Sequence, residues 1–203
     1  MIAAALTGFA TGLTLILAIG AQNAFLLRQG VIGRHVGALV VLFTASDAAL
    51  IGAGVAGFGW AAGAAPWLPR ALALAGAGFL FVYGALRLRA AVRGGHALIA
   101  AEGGDGRGRT LAIGAAVTWG NPHVYLDTMA LIGAVAAGMA PGGPRLAFAL
   151  GAMLASAVFF TTLGYGARAL QPLMRRPGAW RVLDAAIALV MWAIAARLLA
   201  GLA

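Results

Sequence analysis

The apolar positions of this chain run in long blocks rather than at the spacing of a one-sided helix or strand. Six blocks stand out, at about Ile2–Leu27, Val36–Phe58, Leu72–Ala91, Leu111–Met139, Leu146–Ala167 and Val182–Ala200. Each is long enough for a helix to cross a hydrocarbon layer about 30 Å thick. Helices apolar on every side need lipid or protein around their whole circumference. The pattern predicts an all-α integral membrane protein with six transmembrane helices. Most connections are short turns with Gly and Pro, such as APWLPR (65–70) and APGGPR (140–145). One is long and polar, RGGHALIAAEGGDGRGR at 93–109, and reads as a flexible loop. The chain therefore reads as one domain over 1–203, with one half at about 1–92 and the other at about 110–203.

Composition agrees with the block pattern. Of 203 residues, 63% are hydrophobic and 9% charged, with mean hydropathy +0.96. The net charge of +9 is carried by 14 arginines and no lysine. In a soluble chain that excess would suggest a nucleic-acid partner. Here the arginines stand at the ends of apolar blocks, which is the positive-inside pattern, and no nucleic acid is expected. Eleven of the 14 lie on the first, third and fifth connections, against Arg70, Arg145 and Arg197 on the other face. Those three connections are therefore expected in the cytoplasm and both termini outside. The absence of cysteine excludes disulfides, thiol catalysis and thiolate metal sites. IAAALTGFA after Met1 has no basic n-region, so a first span is expected rather than a signal peptide. The 31 glycines let helices approach closely in lipid, and a homodimer interface is one use open to some of them.

The two halves resemble each other. QNAFLLR (22–28) lies over NPHVYLD (121–127), TASDA (44–48) over LASAV (154–158), and YGALRL (83–88) roughly over WAIAAR (192–197). Three spans per half would insert the second half upside down relative to the first. Inverted repeats of this kind typify secondary transporters, whose substrate sites lie near the midplane at discontinuous helices.

The first and fourth helices carry the interruptions. In WGNPHVYLD (119–127), Pro122 lacks a backbone donor, and Asn121 before it is pushed out of the α region. Asn then Pro is also a helix-start signature. The span is expected to break near Gly120 and a half-helix to begin at Pro122, its free N–H groups suited to an anion. A simple proline kink is the plainer alternative. In GAQNAF (20–25), Gly20, Gln22 and Asn23 interrupt the first span with two adjacent amides. Buried amides need partners, from freed backbone groups or from a ligand.

Asp47 and Asp127 sit at bilayer depth, where a carboxylate costs about 3 kcal/mol or more and marks a pathway or an ion pair. His123 lies one turn before Asp127 on the same face. Arg28 matches Asp127 in the repeat and is expected either as a cytoplasmic anchor or as an ion-pair partner or gate for Asp47 or Asp127. Asp184 is expected to pair with nearby Arg181 at the interface; Glu102 and Asp105 fall in the polar loop. Two acids answer cationic groups and a half-helix N-terminus answers a carboxylate. Together they describe a basic amino acid. The candidate substrate-binding set is Asp47, Asp127, Gln22, Asn23, Asn121, Pro122 and His123; no cofactor or metal is implied.

At these residues the chain resembles the L-lysine exporter family, of the LysE/ArgO type. GAQNAFLLRQG (20–30), SDAALI (46–51), WGNPHVYLDT (119–128) and FALGAMLASAVFF (148–160) follow the family pattern in order and spacing. The resemblance implies a bacterial inner-membrane exporter of L-arginine and/or L-lysine, driven by the proton gradient or membrane potential, with Asp47 and Asp127 as its paired acids. Neutral amino acids, homoserine or a divalent cation are alternative cargoes. An intramembrane enzyme is disfavoured, because Ser46 and Ser156 stand in no nucleophile motif and no HExxH occurs.

Overall fold

The computed structural model describes residues 1–17, 20–56, 68–93, 106–121 and 124–200. Among them every regular element is helical: α1 (Ile2–Ile16), α2 (Ala21–Ile32), α3 (Val36–Val55), α4 (Leu68–Arg93), α5 (Arg107–Trp119), a π-helical segment (Tyr125–Leu131) continuing into α6 (Ile132–Ala137), α7 (Gly143–Gly166) and α8 (Pro177–Ala200). Most of the polar loop expected at 93–109 falls outside the described residues, although α5 already begins at Arg107.

Among the described residues, three helical stretches are long and apolar enough to cross a membrane: Val36–Val55, Gly143–Leu170 and Gly178–Ala196. The α1–α2 pair, bent by 82°, makes a fourth when taken as one broken span. Leu146, Leu150, Leu154 and Val158 form an i, i+4 stripe on α7 that stays exposed. Water would penalise such a stripe, whereas lipid tails solvate it. The core instead gathers Phe25 and Leu26 of α2, Leu39 and Phe43 of α3, Leu80 and Tyr83 of α4, Val117 of α5, Phe160 of α7 and Met191 of α8.

Contacts between helices define their relative directions. Along α3 and α7, Gly164 meets Val36, the Phe43 ring packs tilted against Phe160, Asp47 accepts from Ser156 and Gly52 lies by Met153, so the two run antiparallel. Along α4 and α8, Phe81 stacks on Trp192, Gly84 packs against Trp192 and Ala188, and Arg87 reaches Asp184, again antiparallel. Helices α1 and α7 run parallel, with Met1 by Gly143, Gly8 by Phe148 and Gly12 by Ala152.

Small residues make the closest crossings. A Cβ on Gly8 would collide with the Phe148 carbonyl, and one on Gly151 with the Ala5 carbonyl. The α1–α7 crossing therefore brings backbone against backbone, the geometry small residues permit in lipid. Gly33 ends α2 at φ 79°, its N–H bonded to the Gln29 carbonyl at 2.8 Å. That left-handed cap turns the chain sharply into α3.

Candidate functional site

Described helix ends flank both expected interruptions. α1 stops at Ile16 and α2 restarts at Ala21, so Gln22 and Asn23 occupy the first turn of the second half-helix. The Asn23 amide donates back to the Ile16 carbonyl at 2.8 Å. A carbonyl freed by the break thus finds a donor from across it, as backbone at bilayer depth requires. Gln22 is buried, and its Nε2 has no hydrogen-bond partner among the described residues.

The second interruption is repaired in the same way. α5 ends at Trp119 and Gly120 caps it, while the buried Asn121 accepts the Val124 N–H at 3.1 Å. Tyr125, at the head of the π-helical segment, donates its hydroxyl to the Trp119 carbonyl at 2.9 Å. A π turn was not anticipated. It adds a residue per turn and so re-aims the side chains that follow a break. Pro122 and His123 lie outside the described residues, and for Asp127 the backbone alone is described, within the π-helical segment.

Asp47 lies in the interior of α3 and is 5% exposed. Its Oδ2 accepts the Ser156 hydroxyl of α7 at 2.7 Å. No basic side chain among the described residues reaches it. Next to it, Ser46 Oγ accepts the Trp119 indole N–H at 3.1 Å. One line of polar contacts therefore joins the end of α5, the acid-bearing turn of α3 and the middle of α7. A buried carboxylate supplied by a single hydroxyl is left to take up a cation or a proton that comes to it.

Arg28 does not pair with Asp47. Its Nε lies 3.2 Å from Asp184 Oδ1, and Arg87 Nη1 lies 3.6 Å from the same oxygen. Asp184 is fully buried, whereas Arg181, the partner its spacing suggested, is exposed. Arg28 is thus inside the protein rather than a free cytoplasmic anchor. Ser156, Trp119, Tyr125, Arg87 and Asp184 were not among the residues singled out as candidates. For Ser156 a signal existed, since the repeat sets LASAV over TASDA and hence Ser156 over Ser46.

An all-helical, lipid-facing chain with two interrupted helices and a buried carboxylate between them defines a membrane-embedded transporter. The profile of the LysE type translocator matches residues 13–201, and the chain belongs to that family. An arginine exporter protein of Yersinia enterocolitica is 40% identical over 199 residues, spanning 98% of this chain and 97% of its own length. One from Salmonella enteritidis is 38% identical over 192 residues, 94% and 90% of the two chains. A Mycobacterium tuberculosis protein provisionally named an amino-acid transporter is 42% identical over 183 residues, 90% of each chain. No solved structure matches the chain. The family and these relatives are transporters, and this chain is a transporter rather than an enzyme.

Proposed function

We propose that this protein exports basic amino acids, arginine above all and lysine with it, from the cytoplasm across the bacterial inner membrane. The observation that carries the reading is Asp47: a buried carboxylate without a basic partner among the described residues, set beside a helix break. Arginine is favoured over neutral cargo because relatives at about 40% identity over nearly the whole chain are named arginine exporters. In this reading Asp47 and Asp127 answer the cationic side chain, and Gln22, Asn23, Asn121, Pro122 and His123 contribute the remaining contacts to the substrate.

Six crossings in two inverted halves accommodate the helix directions. α4, of 26 residues, and the interrupted α5–α6 unit supply the two crossings beyond the four apolar candidates. An alternating six-span path requires α1 parallel to α7, and both α3 against α7 and α4 against α8 antiparallel; the observed directions agree with all three. The segments matched by the repeat also meet, at Asp47 with Ser156 and at Gly84 with Trp192. Contacts of this kind support a two-fold axis in the membrane plane.

A cation leaving a negative interior works against about 2.3 kcal/mol per 100 mV. Export of arginine therefore needs a steep outward gradient or an inward proton, and a midplane carboxylate is suited to carry that proton. The test is made in cells fed an arginine-containing dipeptide, which loads the cytoplasm. Expression of the chain is expected to lower internal arginine and raise it in the medium. Unchanged pools, or equal release of leucine from a leucine dipeptide, would remove the basic-amino-acid reading.

A further inference from the structure

Arg28 of α2, Arg87 of α4 and Asp184 of α8 form a second charged cluster, which the transport reading above does not use. Both guanidiniums address the same oxygen of one fully buried carboxylate, so among the described residues two cations share one acid. A pair that merely anchored α8 to α2 would need one arginine. The second, whose side chain is 17% exposed, is favoured by an anion that answers it, since a largely buried charge is costly without one. Arg87 Nε and Nη1 are buried and have no hydrogen-bond acceptor among the described residues. The Tyr83 ring lies 5.1 Å beneath the guanidinium, which steadies its plane but accepts no conventional hydrogen bond.

Buried guanidinium donors in a planar fork, without an acceptor among the described residues, describe a receptor for a carboxylate. We infer that Arg87, held in place by Asp184 and Tyr83, binds the α-carboxylate of the transported amino acid. The cluster lies toward the C-terminal ends of α2 and α4 and the N-terminal end of α8, the cytoplasmic side in the orientation expected from the arginine distribution. Tyr83 packs edge-on to Phe25, which is two residues from Asn23. Arg87 thus captures the group common to all α-amino acids on entry, whereas Asp47, deeper in the protein, reads the side chain. The inference rests on the reading of the chain as an amino-acid exporter, not on which amino acid it carries.

The test measures binding to the full chain in nanodiscs of zwitterionic phosphatidylcholine, which removes anionic lipid as a competing occupant. Each amino acid is titrated beside the amine that lacks its carboxylate: arginine with agmatine, leucine with 3-methylbutylamine. Wild type is expected to favour a transported acid over its amine by roughly tenfold or more, the span of a charge-assisted hydrogen bond. Arg87→Gln is expected to erase that preference by weakening the acid alone, and Arg87→Lys to fall between, since it keeps charge but loses the fork. Equal binding of acid and amine by wild type, or an Arg87→Gln loss shared by both, would overturn the inference. If Arg87→Gln does not fold, the wild-type ratio and Arg87→Lys decide. A carboxylate preference for leucine with no advantage for arginine would keep Arg87 in its role and overturn the basic-substrate reading; no binding of any amino acid would overturn both.

Discussion

At the scale of single residues, the hydrogen bond from Ser156 to Asp47 ties α7 to the acid on α3. Bonds to charged groups are worth about 1.5–3 kcal/mol. Ser156→Ala is expected to lower stability by about that amount, read as a reduced unfolding midpoint in detergent. In the Asp47→Asn background the same change should cost far less, because coupled partners are non-additive. Equal losses in both backgrounds would show that Ser156 stabilises through packing alone. Asp47 was legible in the sequence because a carboxylate inside an apolar block has no bland explanation. The partner of Arg28 was not. Arg181 precedes Asp184 by three residues and local spacing favours it, while the partners Asp184 actually has, Arg28 and Arg87, stand on other helices.

Among the elements, the two interrupted helices share one device, a side chain beyond the break that donates to the carbonyl of the preceding helix's last residue. Asn23 serves Ile16 and Tyr125 serves Trp119. The breaks themselves could be read from Gly20 with its amides and from Asn121–Pro122. The π-helical turn could not, since an extra residue per turn leaves no mark in an all-apolar pattern. Crossings set by glycine give the clearest test of packing. Gly8→Leu would drive a side chain into the Phe148 backbone and is expected to cost about 3 kcal/mol or more, with loss of the monodisperse peak on size exclusion. Gly78→Ala, where a Cβ meets nothing within 4 Å, is expected to be neutral or to stabilise by up to about 1 kcal/mol. Comparable behaviour of the two variants would contradict the close α1–α7 crossing.

For the whole molecule, fold class was written in the block lengths and in the scarcity of charge, and helix directions then agree with an alternating path. What the sequence could not supply was the division of charge into two clusters. Asp47 accepts the Ser156 hydroxyl, next to the Ser46–Trp119 pair, and Asp184 stands with two guanidiniums. One acid has no basic partner among the described residues while the other holds Arg28 and Arg87, and the proposed function gives the substrate side chain to the first. The most direct test of that division is efflux from proteoliposomes preloaded with labelled arginine, lysine or leucine, comparing wild type with Asp47→Asn and Asp127→Asn. Release of arginine and lysine by wild type, with both variants folded but slowed at least about tenfold, is the predicted result. Leucine leaving as fast as arginine, or either variant exporting at the wild-type rate, would contradict it.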